Sequence, residues 1–96
     1  MKIDFTNNEG ILNVSLNGRL DTATAPEFES FLQENIAGAT AMVLNCENLE
    51  YISSAGLRVL LSAQKKMKNA MKLINVQELV MEVFEMTGFA DILVIE

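Results

Sequence analysis

Two adjacent serines, Ser53 and Ser54, lie between two apolar segments in the stretch YISSAGLRVLL. A serine at the start of a helix either caps the backbone N–H groups or carries a phosphate that those groups and the helix dipole stabilise. Gly56 has no side chain and would let a phosphate or a partner protein approach the same N–H groups. Asp21, in GRLDTATA, precedes another helical segment, where an aspartate commonly closes a turn. The residue types alone leave both interpretations open at each position.

Composition removes most kinds of enzyme from consideration. The chain contains no histidine, so it cannot form a Ser-His-Asp triad and lacks the usual general base and metal ligand. Its single cysteine, Cys46, excludes an intramolecular disulfide and is predicted to be a small buried hydrophobe. SSAGLR lacks the glycine spacing and the lysine of a phosphate-binding P-loop. We therefore expect no catalytic residues, no metal and no cofactor.

Charge and hydropathy restrict the partners of the chain. Seven basic and thirteen acidic residues give a net charge of −6, which disfavours nucleic acid and anionic lipid as partners. No apolar run reaches the roughly 18 residues that cross a bilayer, so we expect a cytoplasmic protein. The absence of a coiled-coil repeat favours a monomer. Four lysines form either a basic docking patch or, as we favour, the complement of a helix dipole. They are Lys65, Lys66, Lys68 and Lys72.

Hydrophobic periodicity predicts the element order β-β-α-β-α-β-α-β. The strands are expected at residues 2–6, 11–17, 41–46, 71–76 and 91–96. The expected helix limits are Thr24 and Gly38, then Ser53 or Ser54 and Met67, and finally Asn75 and Gly88. Thr24 with Glu27, and Asn75 with Glu78, have the spacing of capping boxes. The third helix is expected to bury Leu79, Val80, Val83 and Phe84.

This order predicts one α/β domain over residues 1–96. Strand and helix alternate after the N-terminal hairpin, so the crossovers should be right-handed and the sheet mostly parallel, with the first strand antiparallel. Two polar segments, NGRLDTATA and ENLEYISSAG, then follow neighbouring strands and share the carboxyl edge of the sheet. Asp21 and Ser54 are expected to be neighbours there.

Three segments of the chain, in matching order and spacing, resemble the STAS-domain family, and within it the stand-alone anti-sigma factor antagonists of bacteria. They are GRLDTATA, VLNCENLEYISSAGLRVLL and VFEMTGFADIL. The resemblance runs nearly end to end and implies a single STAS domain that acts as a switch and not as an enzyme. It implies binding to an anti-sigma factor that is also a serine kinase, which releases a sigma factor. Phosphorylation by the kinase ends the binding, and a phosphoserine phosphatase resets it.

Matching the chain to the family on Gly56 and Leu57 places the phosphoacceptor at Ser54. The same resemblance implies a partner surface made of Asp21, Thr22, Ser53, Ala55, Gly56 and Arg58. Many phosphorylated members have an aspartate and a hydroxyl residue where this chain has Ser53 and Ala55, so Ser53 stays open as a second acceptor. STAS domains also serve as constitutive scaffold subunits of transport or stress-signalling complexes without phosphorylation, and that alternative stays open too.

Overall fold

The computed structural model describes residues 1–96 and confirms the predicted order of elements. The strands are β1 (Lys2–Asn8), β2 (Ile11–Leu20), β3 (Ala41–Ile52), β4 (Met71–Ile74) and β5 (Val94–Ile95). The helices are α1 (Ala25–Asn35), α2 (Ser54–Lys66) and α3 (Glu78–Thr87). The five strands lie side by side in chain order, with β1 antiparallel to β2 and the other pairs parallel.

The three helices cover one face of the sheet. Each crossover moves one strand in the same direction, so right-handed connections place all three helices on the same side. Burial agrees, because Leu12, Val14 and Leu16 of β2 are buried while the alternate residues are only partly covered. The same face of the next two strands is buried, with Met42 and Leu44 in β3 and their β4 partners Met71 and Leu73. The core therefore lies between this face and the helices.

β2 and β3 extend furthest beyond the residues that their sequence pattern indicated. β2 ends at Leu20 and not at residue 17, and β3 ends at Ile52 and not at residue 46. Register shifts between Ser15 and Asn17, and between Gly18 and Arg19, interrupt the pairing of β2 with β3. These irregularities break the alternation of buried and exposed residues, so the ends of both strands resemble loops in the sequence. At the other end of the chain, a 3₁₀ turn at Phe89–Asp91 leaves the last strand only Val94–Ile95.

The predicted helix limits are confirmed at Thr24, the N-cap of α1, and at Gly88, the C-cap of α3, but several capping details are wrong. Thr24 precedes α1 without a capping bond from its side chain, and α1 ends at Asn35, before Gly38. Asn75 does not cap α3, because its φ is 56° and its Nδ2 donates to Asn45 Oδ1 on β3. Gln77 takes the N-cap position instead, and its side chain donates to the carbonyl of Glu47.

Burial in α3 and in the core follows the predictions with one exception. Val80 and Phe84 are buried and Val83 is partly buried, but Leu79 is 68% exposed. Cys46 is fully buried, as predicted, and burial raises the pKa of its thiol to about 12. No helix is long and apolar enough to cross a membrane.

Candidate functional site

The ends of β2 and β3 bring the two predicted polar segments together at the carboxyl edge of the sheet. Leu20 pairs with Ile52, and directly after this pair the Ser53 N–H donates to the Leu20 carbonyl at 2.9 Å. The chain then enters α1 from one strand and α2 from the other. Asp21 directly follows Leu20, and Ser54 directly follows Ser53, so the two residues that were expected to be neighbours extend from the two sides of this hydrogen bond.

Gly56 lets the start of α2 lie directly on the end of β2. A Cβ atom at this position would lie 2.8 Å from Leu20 Cγ, 2.9 Å from the Leu20 carbonyl oxygen and 2.9 Å from Ile52 Cγ1. Real Cβ atoms essentially never make contacts this short. Gly56 is buried in these contacts, so its role is close packing. The position of a Cβ is filled by Leu20 and Ile52, and the approach of a phosphate or a partner to the nearby N–H groups stays a prediction.

The two serines have different environments. Ser53 is the N-cap of α2 with φ −102° and ψ 176°, but its side chain makes no capping bond, and its buried Oγ has no hydrogen-bond partner. Ser54 is the first residue of α2 and is exposed. The predicted capping position is therefore confirmed, while the predicted capping bond is absent. The first N–H groups of α2 are left without a side-chain acceptor.

Asp21 closes the turn that leads into α1. Its Oδ1 accepts hydrogen bonds from the N–H groups of Ala23 at 3.0 Å and Thr24 at 3.1 Å, and its carbonyl accepts one from Ala25 N at 2.8 Å. The Thr24 hydroxyl is engaged in the same turn, accepting from Asp21 N and donating to the Arg19 carbonyl. The hydrogen bond from the Thr24 N–H is the largest cause that lowers the pKa of the Asp21 carboxyl below its ordinary 3.8. Asp21 is therefore ionised at neutral pH and has the structural role that its position favours.

Arg19 connects this turn to β3. Its Nε lies 3.8 Å from Asp21 Oδ2, and its guanidinium lies 4.2 Å from the centre of the Tyr51 ring. The ion pair is largely exposed, so it contributes little to stability, and the stacked guanidinium adds a cation–π contact. Arg19 therefore lies between the Asp21 carboxylate and the Tyr51 ring at the end of β3.

A groove of about 250 Å³ lies between α1 and α2; it is lined by Ala55, the residue after Ser54, but not by Ser54 itself. Its lining residues are Thr22, Ala25, Pro26, Glu29, Ala55, Arg58 and Val59. The structure thus brings together Thr22, Ala55 and Arg58 of the predicted partner surface. Asp21, Ser53 and Gly56 lie outside the groove.

Pro26 and Glu29 were missed by the sequence reasoning. Thr22 lies in the turn before α1, whereas Pro26 and Glu29 have the spacing i, i+3 within α1, which places these two on one helix face and could have identified them. Arg58 is exposed and has no carboxylate oxygen within 4.0 Å, so its guanidinium is available to a ligand. The groove is the natural candidate for a partner surface.

The lysine cluster lies at the opposite end of α2. Lys65 and Lys66 occupy the last turn of the helix, where cations complement its dipole. Lys72 pairs with Glu96 at 3.6 Å. This placement supports the dipole interpretation of the cluster over a docking patch.

Comparison with protein families and curated proteins gives consistent matches over nearly the whole chain. The model of the STAS domain family matches residues 2–96. BtrV of Bordetella bronchiseptica, provisionally named an anti-sigma factor antagonist, is 36% identical over 96 residues, covering 96% of this chain and 83% of its own length. The anti-sigma-B factor antagonist of Staphylococcus aureus strain NCTC 8325 is 28% identical over 97 residues, covering 97% and 90% of the two chains.

Solved structures share the fold at lower sequence identity. A Thermotoga maritima protein, described provisionally as an anti-sigma factor antagonist, superposes with a TM-score of 0.86 at 19% identity, covering 97% of this chain and 84% of its own. SpoIIAA of Bacillus in its phosphorylated form superposes with a TM-score of 0.75 at 17% identity, covering 99% and 91%. At these identities the likeness is one of fold, and it confirms the predicted α/β domain with its N-terminal hairpin and three helices.

Proposed function

The chain belongs to the STAS-domain family, and on that premise we propose that it is an anti-sigma factor antagonist switched by phosphorylation of Ser54. Unphosphorylated, it binds an anti-sigma factor that is also a serine kinase and so releases a sigma factor. Phosphorylation by that kinase ends the binding, and a phosphatase restores it. The names of the BtrV and S. aureus relatives support the antagonist function. The observation that carries the proposal is the exposed Ser54 at the first position of α2, the helix whose Ala55 and Arg58 line the groove.

Accessibility supports Ser54 over Ser53 as the acceptor. A kinase must reach the serine oxygen from solvent, and Ser53 Oγ is buried beneath the start of α2. Phosphorylation of Ser53 would require its buried Oγ to become exposed to solvent. Ser54 needs no such rearrangement, because it is already exposed on the surface.

The first turn of α2 can hold a phosphate within the protein. It contains no acidic residue, and the N–H groups of the turn receive no capping bond from the Ser53 side chain. Arg58 is four residues after Ser54, so the two side chains lie on the same helix face, one turn apart. A phosphoserine at Ser54 would therefore accept charge-assisted hydrogen bonds from an Arg58 that has no acidic partner at present.

These contacts explain how phosphorylation would end binding without refolding the domain. A phosphoserine adds about −1.5 to −2 charges at neutral pH to a chain whose net charge is already −6. It would occupy Arg58, which lines the groove and is otherwise available to a partner. It would also place a dianion where the partner must desolvate the surface, close to the ionised Asp21. Stranding such a charge in an interface costs several kcal/mol.

The test is phosphorylation in vitro by the anti-sigma factor kinase that the unphosphorylated protein captures from its native organism. With ATP, the wild type should gain one phosphoryl group, measured by intact mass. Ser54→Ala should gain none, and the matched control Ser53→Ala should gain one at the rate of the wild type. Equal phosphorylation of Ser54→Ala and the wild type would contradict the assignment.

A further inference from the structure

A second groove, also about 250 Å³, lies between the end of β3 and α3. Leu79, Val83 and Met86 of α3 line one side, and Tyr51 of β3 lines the other. Leu79 is 68% exposed, Met86 86% and Tyr51 40%. Large apolar side chains grouped on one exposed surface mark an interaction site, whereas a single exposed residue would need no explanation. We call this surface the α3 groove.

Four glutamates flank the α3 groove. Glu78, Glu82 and Glu85 recur at the spacing i, i+4, i+7, so they form an acidic row parallel to the apolar row on α3. Glu50 lies on the β3 side, where it lines the groove together with Glu82. α3 contains no lysine or arginine, and none of the four glutamates has a cationic nitrogen within 4.0 Å. The acidic charge around the groove is therefore unpaired within the protein.

We propose that the α3 groove binds an amphipathic helix of a partner protein whose apolar residues enter the groove and whose polar face is rich in lysine or arginine. The row Leu79, Val83 and Met86 offers apolar contacts along two turns of helix, which is the pattern of helix-in-groove recognition. The glutamates beside it favour cations on the partner and disfavour acidic sequences. A second copy of this chain fits poorly, because it would bring its own acidic row against this one.

The α3 groove is distinct from the groove between α1 and α2. The two grooves share no lining residue, and they are formed by different helices, α3 in one case and α1 with α2 in the other. A failure of the Ser54 proposal would leave this one standing, and the reverse also holds.

The test uses the ¹⁵N-labelled full chain and two synthetic helical peptides. Both carry leucines at i, i+3, i+4 and i+7, and the remaining positions are lysine in one peptide and glutamate in the other. The lysine peptide should shift the amide signals of Tyr51, Leu79, Val83 and Met86, with an affinity that falls as salt is added. The glutamate peptide should leave them unchanged. Equal shifts with both peptides, no shift with either, or concentration-dependent dimerisation through α3 without peptide would each overturn the proposal.

Variants separate the apolar contribution from the acidic one. Leu79→Ser and Met86→Ser alter exposed side chains, so they should fold normally and abolish the shifts, while Ile11→Ser, on the open face of the sheet, should not. Glu82→Lys should lower the affinity for the lysine peptide by at least about twofold, as expected for the loss of one exposed ion pair. Glu34→Lys on α1 makes the same change in net charge away from the groove and should have a smaller effect. Equal weakening by Glu82→Lys and Glu34→Lys would show that net charge, and not the groove, attracts the peptide.

Discussion

Substituting Gly56 by alanine tests how the start of α2 packs against the end of β2. The added methyl group would lie 2.8 Å from Leu20 Cγ and 2.9 Å from the Leu20 carbonyl oxygen. The leucine side chain can turn away, but the carbonyl belongs to β2 and accepts the hydrogen bond from Ser53 N. The start of α2 must therefore shift away from the end of β2, and the Ser53 bond must lengthen.

The opposing contributions to the stability of Gly56→Ala can be compared. Forcing a methyl group into a packed site costs about 1–3 kcal/mol, and weakening one backbone hydrogen bond costs about 1 kcal/mol. Alanine recovers at most about 1 kcal/mol of helix propensity. The variant should therefore be about 1–3 kcal/mol less stable than the wild type, which lowers the urea midpoint by on the order of 1 M for a small domain.

Gly38→Ala is the matched control, because a Cβ at Gly38 meets no atom within 4 Å. Its urea midpoint should be unchanged or slightly higher than that of the wild type. The two variants and the wild type are compared by urea unfolding followed by circular dichroism. If Gly56→Ala were as stable as Gly38→Ala, the close packing of α2 on β2 would be wrong.

Three further predictions concern the turn at Asp21, the core and the C-terminal segment. Because the Thr24 N–H lowers the pKa of Asp21, its carboxylate contributes stability that is complete above pH 3.8 and is lost as the pH falls through the lower folded value. The free energy of unfolding, measured with urea between about pH 2 and pH 6, should fall less at the acid end for Asp21→Asn than for the wild type. Identical curves for the two proteins would contradict the stabilising role of the Asp21 carboxylate. Burial raises the pKa of Cys46 to about 12, so a thiol-reactive dye at neutral pH should label the native protein far more slowly than the urea-unfolded protein; labelling at equal rates would show that the thiol is accessible. The buried Gln64 side chain donates to the Ile92 carbonyl, so Gln64→Ala should lose about 1–3 kcal/mol of stability and speed amide exchange in the last strand, whereas unchanged exchange there would refute this anchoring role.

The sequence was sufficient for the architecture because the apolar periodicity is strong where the core is regular. Leu12, Val14 and Leu16 alternate with polar residues, and their β3 neighbours form one continuous apolar run. Right-handed crossovers then determine which face the helices cover. The meeting of the Asp21 and Ser54 segments followed from the same topology.

The errors occurred where other contacts or solvent exposure override the spacing patterns of caps and apolar residues. Asn75 has the spacing of a helix cap, yet its amide bonds to Asn45 on β3, a partner 30 residues away. Thr24 has the spacing of a capping box, but its hydroxyl bonds within the Asp21 turn. Leu79 follows the helical apolar pattern, but it faces the α3 groove and solvent. No spacing in the sequence distinguishes these alternatives.

The most direct test of the proposed switch is the affinity of the anti-sigma factor kinase for the two forms of this protein, measured by titration calorimetry. The unphosphorylated wild type and Ser54→Ala should bind with similar affinity. The form phosphorylated on Ser54 should bind at least about tenfold more weakly, which corresponds to a loss of about 1.4 kcal/mol. Equal affinity of the phosphorylated and unphosphorylated forms would contradict the switch and favour a constitutive scaffold subunit.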